Sequence, residues 1–543
     1  MQNAFLTECE NDENRFLKPI PRRKVKNFSA ENCANGPKVP KPLQNAESMR
    51  DTFGHLLFMI ASEANIDMDA VFSFPLTVYP LSIAQCDGLM NTTQKASLTK
   101  KLESFQEEEV TDATLPVIEE SMVDGGLFLH SQLHAVGRSA SYGDLAQKLW
   151  TAAIKMPGTV VHLLFDVYLS NSLKQHERKL RGEHSTPSFV IAGPDQSPEV
   201  SMRDLLANTS FKEAFPKFLM QEWTKDKYIA LLHGKTVIVS HGGSCIKLCQ
   251  VEGGHSVMRP ESYQATHEEA DTLVAFHAAQ SNGNVLVRAS DADVLVILLH
   301  LVSKKHDQEA MDNFEIFMDC GVGNTRRYVH VNQIYKKLEE TCPGSAQAVV
   351  AIHALTGSDY TSAFYHKGKL SALNLLLGDE SGRFVSYFRS LSCTKIDNIE
   401  EAEEFVCKLY GSSISDINKT RANKVRKITG FDKVTVTDAN KEKVRDQLDR
   451  IDCSMLPPCR KVLTKKMQRV NYMSQLWGNA DKRNPTETLR PSDYGWKDEE
   501  NGLQPVLYEG SFVPQQVEKM PEAKLTERLE DEVWSDDSNV EEG

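Results

Sequence analysis

The fold is decided by the stretch NVLVRASDADVLVILLHL (residues 284–301), in which a short apolar run leads through two acids into a longer apolar run. Residues 285–287 are apolar and rich in β-branched side chains, which is typical of a buried strand. Strands that alternate with helices form parallel sheets, and such sheets bind ligands at the carboxyl ends of their strands. We therefore predict an α/β fold with Asp291 and Asp293 at that edge. The alternative is that Ser290 or Asp291 only caps the next segment, which leaves the second aspartate unexplained.

A second acidic stretch, THEEADTLVAFHA (residues 266–278), places Glu268, Glu269 and Asp271 at the start of another apolar run. The run predicts a helix, because its apolar face recurs at helical spacing through Ala270, Leu273, Val274 and His277. Acids in the first turn complement the positive end of a helix dipole, so a purely structural role stays open.

Three more apolar runs are interpreted as strands that end in an aspartate. The run at 160–165 precedes Asp166, a short run precedes Asp124 in SMVDGG, and the run at 349–355 leads into Asp359 in the turn GSDY. Taken singly, each of these ends is also explained by ordinary cap or turn chemistry. Together with the acidic helix start, they indicate a concentration of negative charge.

Carboxylates held close together oppose folding unless a cation neutralises them. A ligand set made of oxygen atoms, without the cysteine and histidine spacing of a zinc site, favours Mg²⁺ or Mn²⁺. Magnesium sites in proteins are often completed by substrate phosphates, which indicates a phosphodiester substrate. The number of carboxylates suffices for two ions and for two-metal hydrolysis.

Taken in order, these motifs resemble the flap endonuclease and XPG-like branch of the PIN-domain nucleases. An acid-x-acid pair, an Asp-x-Asp pair 20 positions later and a Gly-x-Asp-Tyr turn follow one another over residues 116–375. The resemblance implies a PIN-like three-layer αβα sandwich with a mainly parallel central sheet, extended here by helical N- and C-terminal additions. It also implies a two-ion Mg²⁺ or Mn²⁺ centre formed by seven acids, namely Asp124, Asp166, Glu269, Asp271, Asp291, Asp293 and Asp359.

The resemblance assigns roles to cations as well. Lys174, Arg178 and Arg181 in SLKQHERKLR correspond to basic residues that steer the scissile phosphate, although such spacing is also usual on a solvated helix face. Lys367 and Lys369 flank one glycine where the family has a glycine-rich hairpin that binds duplex DNA, so we assign them to nucleic-acid binding. The shortened hairpin leaves flap, single-stranded and RNA substrates open.

The composition divides the chain into six regions with one insertion. We predict a disordered basic and proline-rich arm (1–44), a helical N-terminal region (45–115), the PIN-like core (116–375) with a flexible arch-like insertion (182–236), a helical region (376–450), an extended wrap (451–514) and an acidic disordered tail (515–543). The motif PRRKVK at 21–26 is typical of a nuclear localisation signal.

The net charge of −13 is unusual for a protein that binds nucleic acid. Part of it lies in the tail, which can recruit a basic protein partner, and basic stretches at 418–427 and 459–469 can follow a phosphate backbone or be solvated helix faces. We expect neither a membrane span nor a secretory signal, because apolar runs are short and the N-terminus is polar. The 11 cysteines contain no CxxC pair, and we predict that they are reduced thiols. Reduced thiols favour the nucleus or cytoplasm.

Two classes of function fit these observations. The first is a metal-dependent nuclease, with DNA favoured over RNA as its substrate. The second is a non-catalytic nucleic-acid-binding or assembly protein on a PIN-like scaffold. The presence of all seven acids favours the first class, and the acidic charge balance and shortened hairpin favour the second.

Overall fold

The structure is a computed structural model, and it describes part of the chain. Several predicted features lie outside the described residues, namely the arm at 1–44 with its basic motif, Arg178, Arg181 and residues 516–543 of the tail. The described residues are 53–54, 56–58, 68–137, 139–169, 172–174, 189–252, 254–308, 314–429, 440–449, 451–499 and 502–515.

An eight-stranded sheet in the order β5-β4-β3-β2-β1-β6-β7-β8 forms the centre of the molecule. Five neighbouring strands, β3 to β7 through β2, β1 and β6, are parallel, while β4, β5 and β8 are antiparallel to their neighbours. The prediction of an α/β fold with a mainly parallel sheet is therefore confirmed. The strands are β1 (Glu120–Asp124), β2 (Val160–Leu164), β3 (Thr236–His241), β4 (Ser244–Val251), β5 (Gly254–Met258), β6 (Asn284–Arg288), β7 (Glu315–Cys320) and β8 (Arg327–His330), with a separate hairpin of β9 (Trp496–Glu499) and β10 (Gly502–Pro505).

Helices surround this sheet and connect its strands. In chain order they are α1 (Met68–Val71), α2 (Ala96–Glu103), α3 (Gly125–Leu133), α4 (Tyr142–Ala153), α5 (Met202–Ala207), α6 (Thr209–Glu222), α7 (Asp226–Ile229), α8 (Ala270–Ala279), α9 (Ala292–Asp307), α10 (Val331–Thr341), α11 (Ser345–Leu355), α12 (Lys369–Leu377), α13 (Arg383–Ser390), α14 (Glu400–Leu409), α15 (Ile417–Thr429), α16 (Lys441–Asp449) and α17 (Arg460–Gly478). No helix among the described residues is long and apolar enough to cross a membrane.

The helices pack on the sheet through two separate cores. Val123 of β1 and Val161 of β2 lie in one core with Trp150 of α4 and Phe215 of α6. Met122, the neighbour of Val123 in β1, lies in the other core with residues of α8, α9 and α11. Successive side chains of a strand point to opposite faces, so these two cores lie on opposite faces of the sheet, and a third, smaller cluster covers one face at β6, β7 and β8. This arrangement is compatible with a three-layer sandwich.

The apolar run at 349–355 is a helix, and its interpretation as a strand was wrong. It belongs to α11, in which every residue from Ser345 to Leu355 is buried. A helix that is buried on all sides lacks an apolar stripe, so periodicity cannot distinguish it from a buried strand.

The insertion at 182–236 is also different from the prediction of a flexible arch. From residue 202 onward it contains α5, α6 and α7, most of whose aromatic side chains are fully buried in the core with α4. Phe211, Phe215, Leu219 and Trp223 recur every four residues, which gives α6 one continuous apolar face.

The predicted extended wrap at 451–514 contains the longest helix of the described chain, α17. Val462, Leu463, Met467, Val470 and Trp477 are buried in the core on the α9 and α11 side of the sheet. Their spacing is helical, but lysines and arginines placed between them obscure the pattern in the sequence. Among the described residues of this range, the strands are β9 and β10 of the short hairpin that follows.

Candidate metal centre

The candidate site lies at the carboxyl ends of β2, β1 and β6, three adjacent parallel strands. Asp124 is the last residue of β1, Asp166 follows β2 by two positions, and Asp291 comes three residues after β6. The chain continues from β1 to one side of the sheet and later returns to its other side at β6, so the strand order reverses here. Such a reversal creates a crevice at the carboxyl ends, where open α/β sheets bind ligands.

At the end of β1, the chain turns directly into α3. The Asp124 carboxylate accepts a hydrogen bond from the Leu127 amide (3.1 Å) and so caps the helix. Gly125 is required by close packing, since a Cβ atom there would lie 2.3 Å from the Phe165 ring and 2.7 Å from the Leu164 carbonyl oxygen. The glycine of the DGG motif therefore lets Asp124 approach the end of β2.

Asp291 and Asp293 have different roles at the start of α9. Asp291 caps the helix by accepting the amide of Asp293 (3.1 Å), as the structural alternative predicted. Asp293 is buried, and its Oδ1 accepts a hydrogen bond from Nε2 of the fully buried His353 in α11 (2.7 Å). Burial holds the pKa of His353 well below its usual range, so the neutral imidazole acts as a donor here. Asp291 thus caps α9, while Asp293 is held by a side chain of α11.

Asp271, in the first turn of α8, completes a group of three carboxylates with this pair. Asp271, Asp291 and Asp293 each offer one ligand atom, and these atoms all lie within 4.8 Å of one another. This arrangement can hold a metal ion. Because all donors are carboxylate oxygens, the set suits a hard cation such as Mg²⁺ or Mn²⁺.

Glu269 and Asp166 form the side of the cluster next to β2. Asp166 accepts the amide of Ala270 (2.7 Å), which ties the end of β2 to the start of α8. Glu269 accepts a hydrogen bond from the hydroxyl of Tyr360, the tyrosine of the GSDY turn. Lys174 lies between the acids, with its Nζ 2.7 Å from Glu269 and 3.8 Å from Asp166. Its side chain is only 12% exposed, so Lys174 does not lie on a solvated helix face.

A second lysine, which the sequence analysis did not identify, enters the cluster from the N-terminal region. Nζ of Lys95 lies 3.0 Å from Asp293 and 3.8 Å from Asp291, and it also forms an ion pair with Asp359. Burial by itself would lower the pKa of Lys95, but the three aspartates outweigh burial and raise it, so Lys95 is charged. Lys95 is 198 positions from Asp293, and nothing in its local sequence sets it apart from other lysines.

The cluster keeps an excess of negative charge despite the two lysines. Burial and the charge of Asp166 raise the pKa of Asp124 to about 6. Burial and the charge of Asp291 raise the pKa of Asp271 well above its usual value, and Glu269 and Asp124 add to this effect. Burial and Asp359 likewise raise the pKa of Asp293, although Lys95 opposes the rise. The seven predicted acids are thus connected through mutual repulsion and shared lysines, and a divalent cation would relieve the repulsion.

The two lysines assigned to nucleic-acid binding differ in their location. Lys369 is fully buried at the start of α12, where it donates to the carbonyl oxygens of His353 (2.9 Å) and Gly357 (2.5 Å) at the end of α11. Burial lowers its pKa to about 7. The predicted contact of Lys369 with nucleic acid does not fit this position; its role is to fix the turn that carries Asp359. Lys367 is half-buried and lies over the ring of Tyr410 (4.8 Å to the centroid).

Comparison with protein-family models gives no match to this chain, and comparison with curated protein sequences gives none either. The resemblance to PIN-domain nucleases therefore rests on the acids and on their order. In the structure, the group of three aspartates combines Asp271 from one motif with Asp291 and Asp293 from the other.

Proposed function

We propose that the protein is a metal-dependent nuclease of the PIN-like, flap endonuclease-related type. One observation carries the proposal: Asp271, Asp291 and Asp293 bring three carboxylate oxygens within 4.8 Å of one another at the strand-order reversal of a parallel sheet. Open α/β sheets bind their ligands at this place in the fold. The raised pKa values of Asp124 and Asp271 indicate that ionising these acids in the folded protein costs free energy. A bound cation would offset this cost.

The reaction is hydrolysis of a phosphodiester. The oxygen of a water molecule forms a bond to phosphorus, the bond from phosphorus to the leaving sugar oxygen breaks, and the water protons end on the leaving oxygen and in solvent. A divalent ion held by the acids supplies positive charge to the phosphate oxygens. Lys174, which is anchored by Glu269 and Asp166, places an ammonium group where it can stabilise the charge that develops on the phosphate. Arg178 and Arg181 are proposed to assist from the same segment.

The proposed substrate is nucleic acid, with DNA favoured over RNA, and the proposed compartment is the nucleus or cytoplasm. Lys367, which keeps part of its side chain accessible, is the lysine of the 367–369 pair that can contact a phosphate backbone. Lys369 is fully buried, so we do not propose that it contacts nucleic acid.

A non-catalytic nucleic-acid-binding or assembly protein is the second candidate function. It is favoured by the ion pairs of Lys95 and Lys174, which neutralise part of the acid cluster without a metal. A scaffold with such internal ion pairs would not need a metal ion for its stability.

Cleavage assays distinguish the two candidates. The full chain is incubated with end-labelled flap, single-stranded and duplex DNA and with RNA, in Mg²⁺, Mn²⁺ or EDTA. The Asp291→Asn/Asp293→Asn variant removes two of the three clustered carboxylates, and Glu252→Gln, on the exposed β4–β5 turn, is the matched control. We expect metal-dependent cleavage by the wild type and the control and none by the double variant. Binding by all three proteins without cleavage would instead support the scaffold.

A further inference from the structure

We infer that Lys95 takes the place of one of the two metal ions, so that the centre binds a single divalent ion beside a built-in ammonium group. This inference rests on the proposed metal-dependent function and deepens it. Its starting point is that Lys95 contacts Asp291, Asp293 and Asp359 at once. These three acids belong to the set expected to hold two ions, and a cation already lies among them.

The fold fixes Lys95 in this position. Lys95 immediately precedes α2, and Leu98 and Leu102 of that helix are fully buried in the same core as α9 and α11. At the other end of α2, Glu103 accepts a two-pronged hydrogen bond from Arg327 of β8, with distances from 2.6 to 3.1 Å. An anchored helix thus holds the ammonium group of Lys95 at the cluster. The side chain of Lys95 is 21% exposed.

The second observation is the partition of the carboxylate oxygens. Asp293 Oδ2 binds Lys95 at 3.0 Å, and Asp293 Oδ1 binds His353 at 2.7 Å. An ion shared between Asp293 and Asp359 would have to displace the Lys95 ammonium, because both would occupy the same gap. An ion shared between Asp293, Asp291 and Asp271 would not, since a carboxylate oxygen has a second lone pair.

The opposite side of the cluster is limited in the same way. Lys174 binds Glu269 and Asp166, and the charge of Asp271 also acts on it. The two lysines therefore flank the group formed by Asp271, Asp291 and Asp293, and that group offers ligand atoms for one ion. In this arrangement Lys95 supplies a single positive charge where a second divalent ion would supply two.

Counting bound Mn²⁺ tests the inference without reference to activity. The full chain is titrated with Mn²⁺, and free Mn²⁺ is measured by electron paramagnetic resonance. Lys95→Met keeps the aliphatic stem and removes the charge, and Lys100→Met, on an exposed position of the same helix, is the matched control. We expect one Mn²⁺ per chain for the wild type and the control and two for Lys95→Met. Adding Asp359→Asn to Lys95→Met should return the count to one.

Two further variants keep the test decisive. Lys95→Arg retains the charge and should bind one ion. Lys95→Gln keeps a hydrogen-bond donor without the charge and should bind two ions. Lys95→Gln replaces Lys95→Met in the test if Lys95→Met does not fold. Two ions on the wild type, or one ion on every folded variant, would overturn the role of Lys95 and leave the metal-dependent function standing. Failure of the wild type and all variants to bind Mn²⁺ would overturn the proposed function itself.

Discussion

Two neighbouring side chains hold Asp293 in its place in the cluster. It is buried, and its two oxygens face His353 and Lys95. His353 was visible in the sequence as a polar residue within an apolar run, and a buried polar side chain usually has a partner. Its role is to hold Asp293 in one orientation through a neutral N–H donor.

His353→Ala removes this donor and leaves a buried carboxylate oxygen without it. We expect a loss of about 1 to 3 kcal/mol in the free energy of unfolding from the unsatisfied acceptor, with an added loss from the cavity. His353→Gln can still donate and should recover part of the loss. Urea unfolding in EDTA measures both variants, and His134→Ala, at an exposed position, is the control. Equal stability of His353→Ala and wild type would show that the bond does not hold Asp293.

The raised pKa of Asp124 predicts a pH dependence of metal binding. The carboxyl titrates at about 6 in the folded protein instead of 3.8, owing to burial and Asp166. The folded protein therefore holds this proton more tightly than the unfolded chain. Without metal, the free energy of unfolding falls as pH rises from about 3.8 to about 6. A divalent ion favours the ionised acids, so the increase in Tm caused by Mn²⁺ should grow over the same window. Thermal unfolding with Mn²⁺ or EDTA across this pH range checks it, and a Tm increase independent of pH would contradict it.

At the scale of residues, sequence motifs placed Asp124, Asp166 and Asp291 at one edge of the sheet, because strand ends fix where the following side chains can lie. Lys95 escaped identification because its contacts are made by an element far away in the chain. Long-range contacts of this kind depend on how a helix packs, and a single sequence does not encode them in a local pattern.

At the scale of elements, the strand-to-helix junction at β1 packs closely against the end of β2. The Cβ atom in Gly125→Ala would meet a backbone carbonyl as well as a ring, and the carbonyl belongs to a strand inside the sheet. We expect about 1 to 3 kcal/mol of destabilisation and weaker Mn²⁺ binding, because the junction must separate and carry Asp124 with it. Gly193→Ala, where a Cβ has open space, is the matched control. Unchanged stability of Gly125→Ala would show that the junction adapts freely.

Sequence patterns predicted several buried elements correctly and others wrongly. The strands β1, β2 and β6 and the helix α8 were expected from their patterns, and they are present. The helix α11 was read as a strand, because its buried surface has no polar side. The helix α17 was missed for the opposite reason: Lys466 and Arg469 lie in its interior-facing surface and look like exposed residues in the sequence.

At the scale of the whole molecule, the basic stretches provide less surface charge than the sequence indicated. In the stretch 459–469, Lys466 donates to the Ser362 carbonyl and Arg469 to that of Gly495 (3.2 Å), and both are fully buried. In the stretch 418–427, Arg421 donates to the Pro457 carbonyl (3.1 Å) and is buried. Arg421 and Arg469 connect parts of the C-terminal region, and Lys466 connects α17 to the core, so the acidic net charge of −13 is not offset there by as many surface cations as the sequence suggests.

This balance of charge predicts how binding of nucleic acid depends on metal ions. Without a divalent ion the acid cluster repels phosphates, whereas a bound ion both neutralises the carboxylates and contacts the backbone. We expect the affinity for a single-stranded oligonucleotide, measured by fluorescence anisotropy, to rise about tenfold or more when EDTA is replaced by Ca²⁺, which corresponds to about 1.4 kcal/mol. Asp291→Asn/Asp293→Asn should bind more tightly than the wild type in EDTA, because two repelling charges are gone, and should gain less from Ca²⁺. If the double variant and wild type bind equally in both conditions, the nucleic acid contacts another surface, and the acid cluster serves a purpose other than substrate binding.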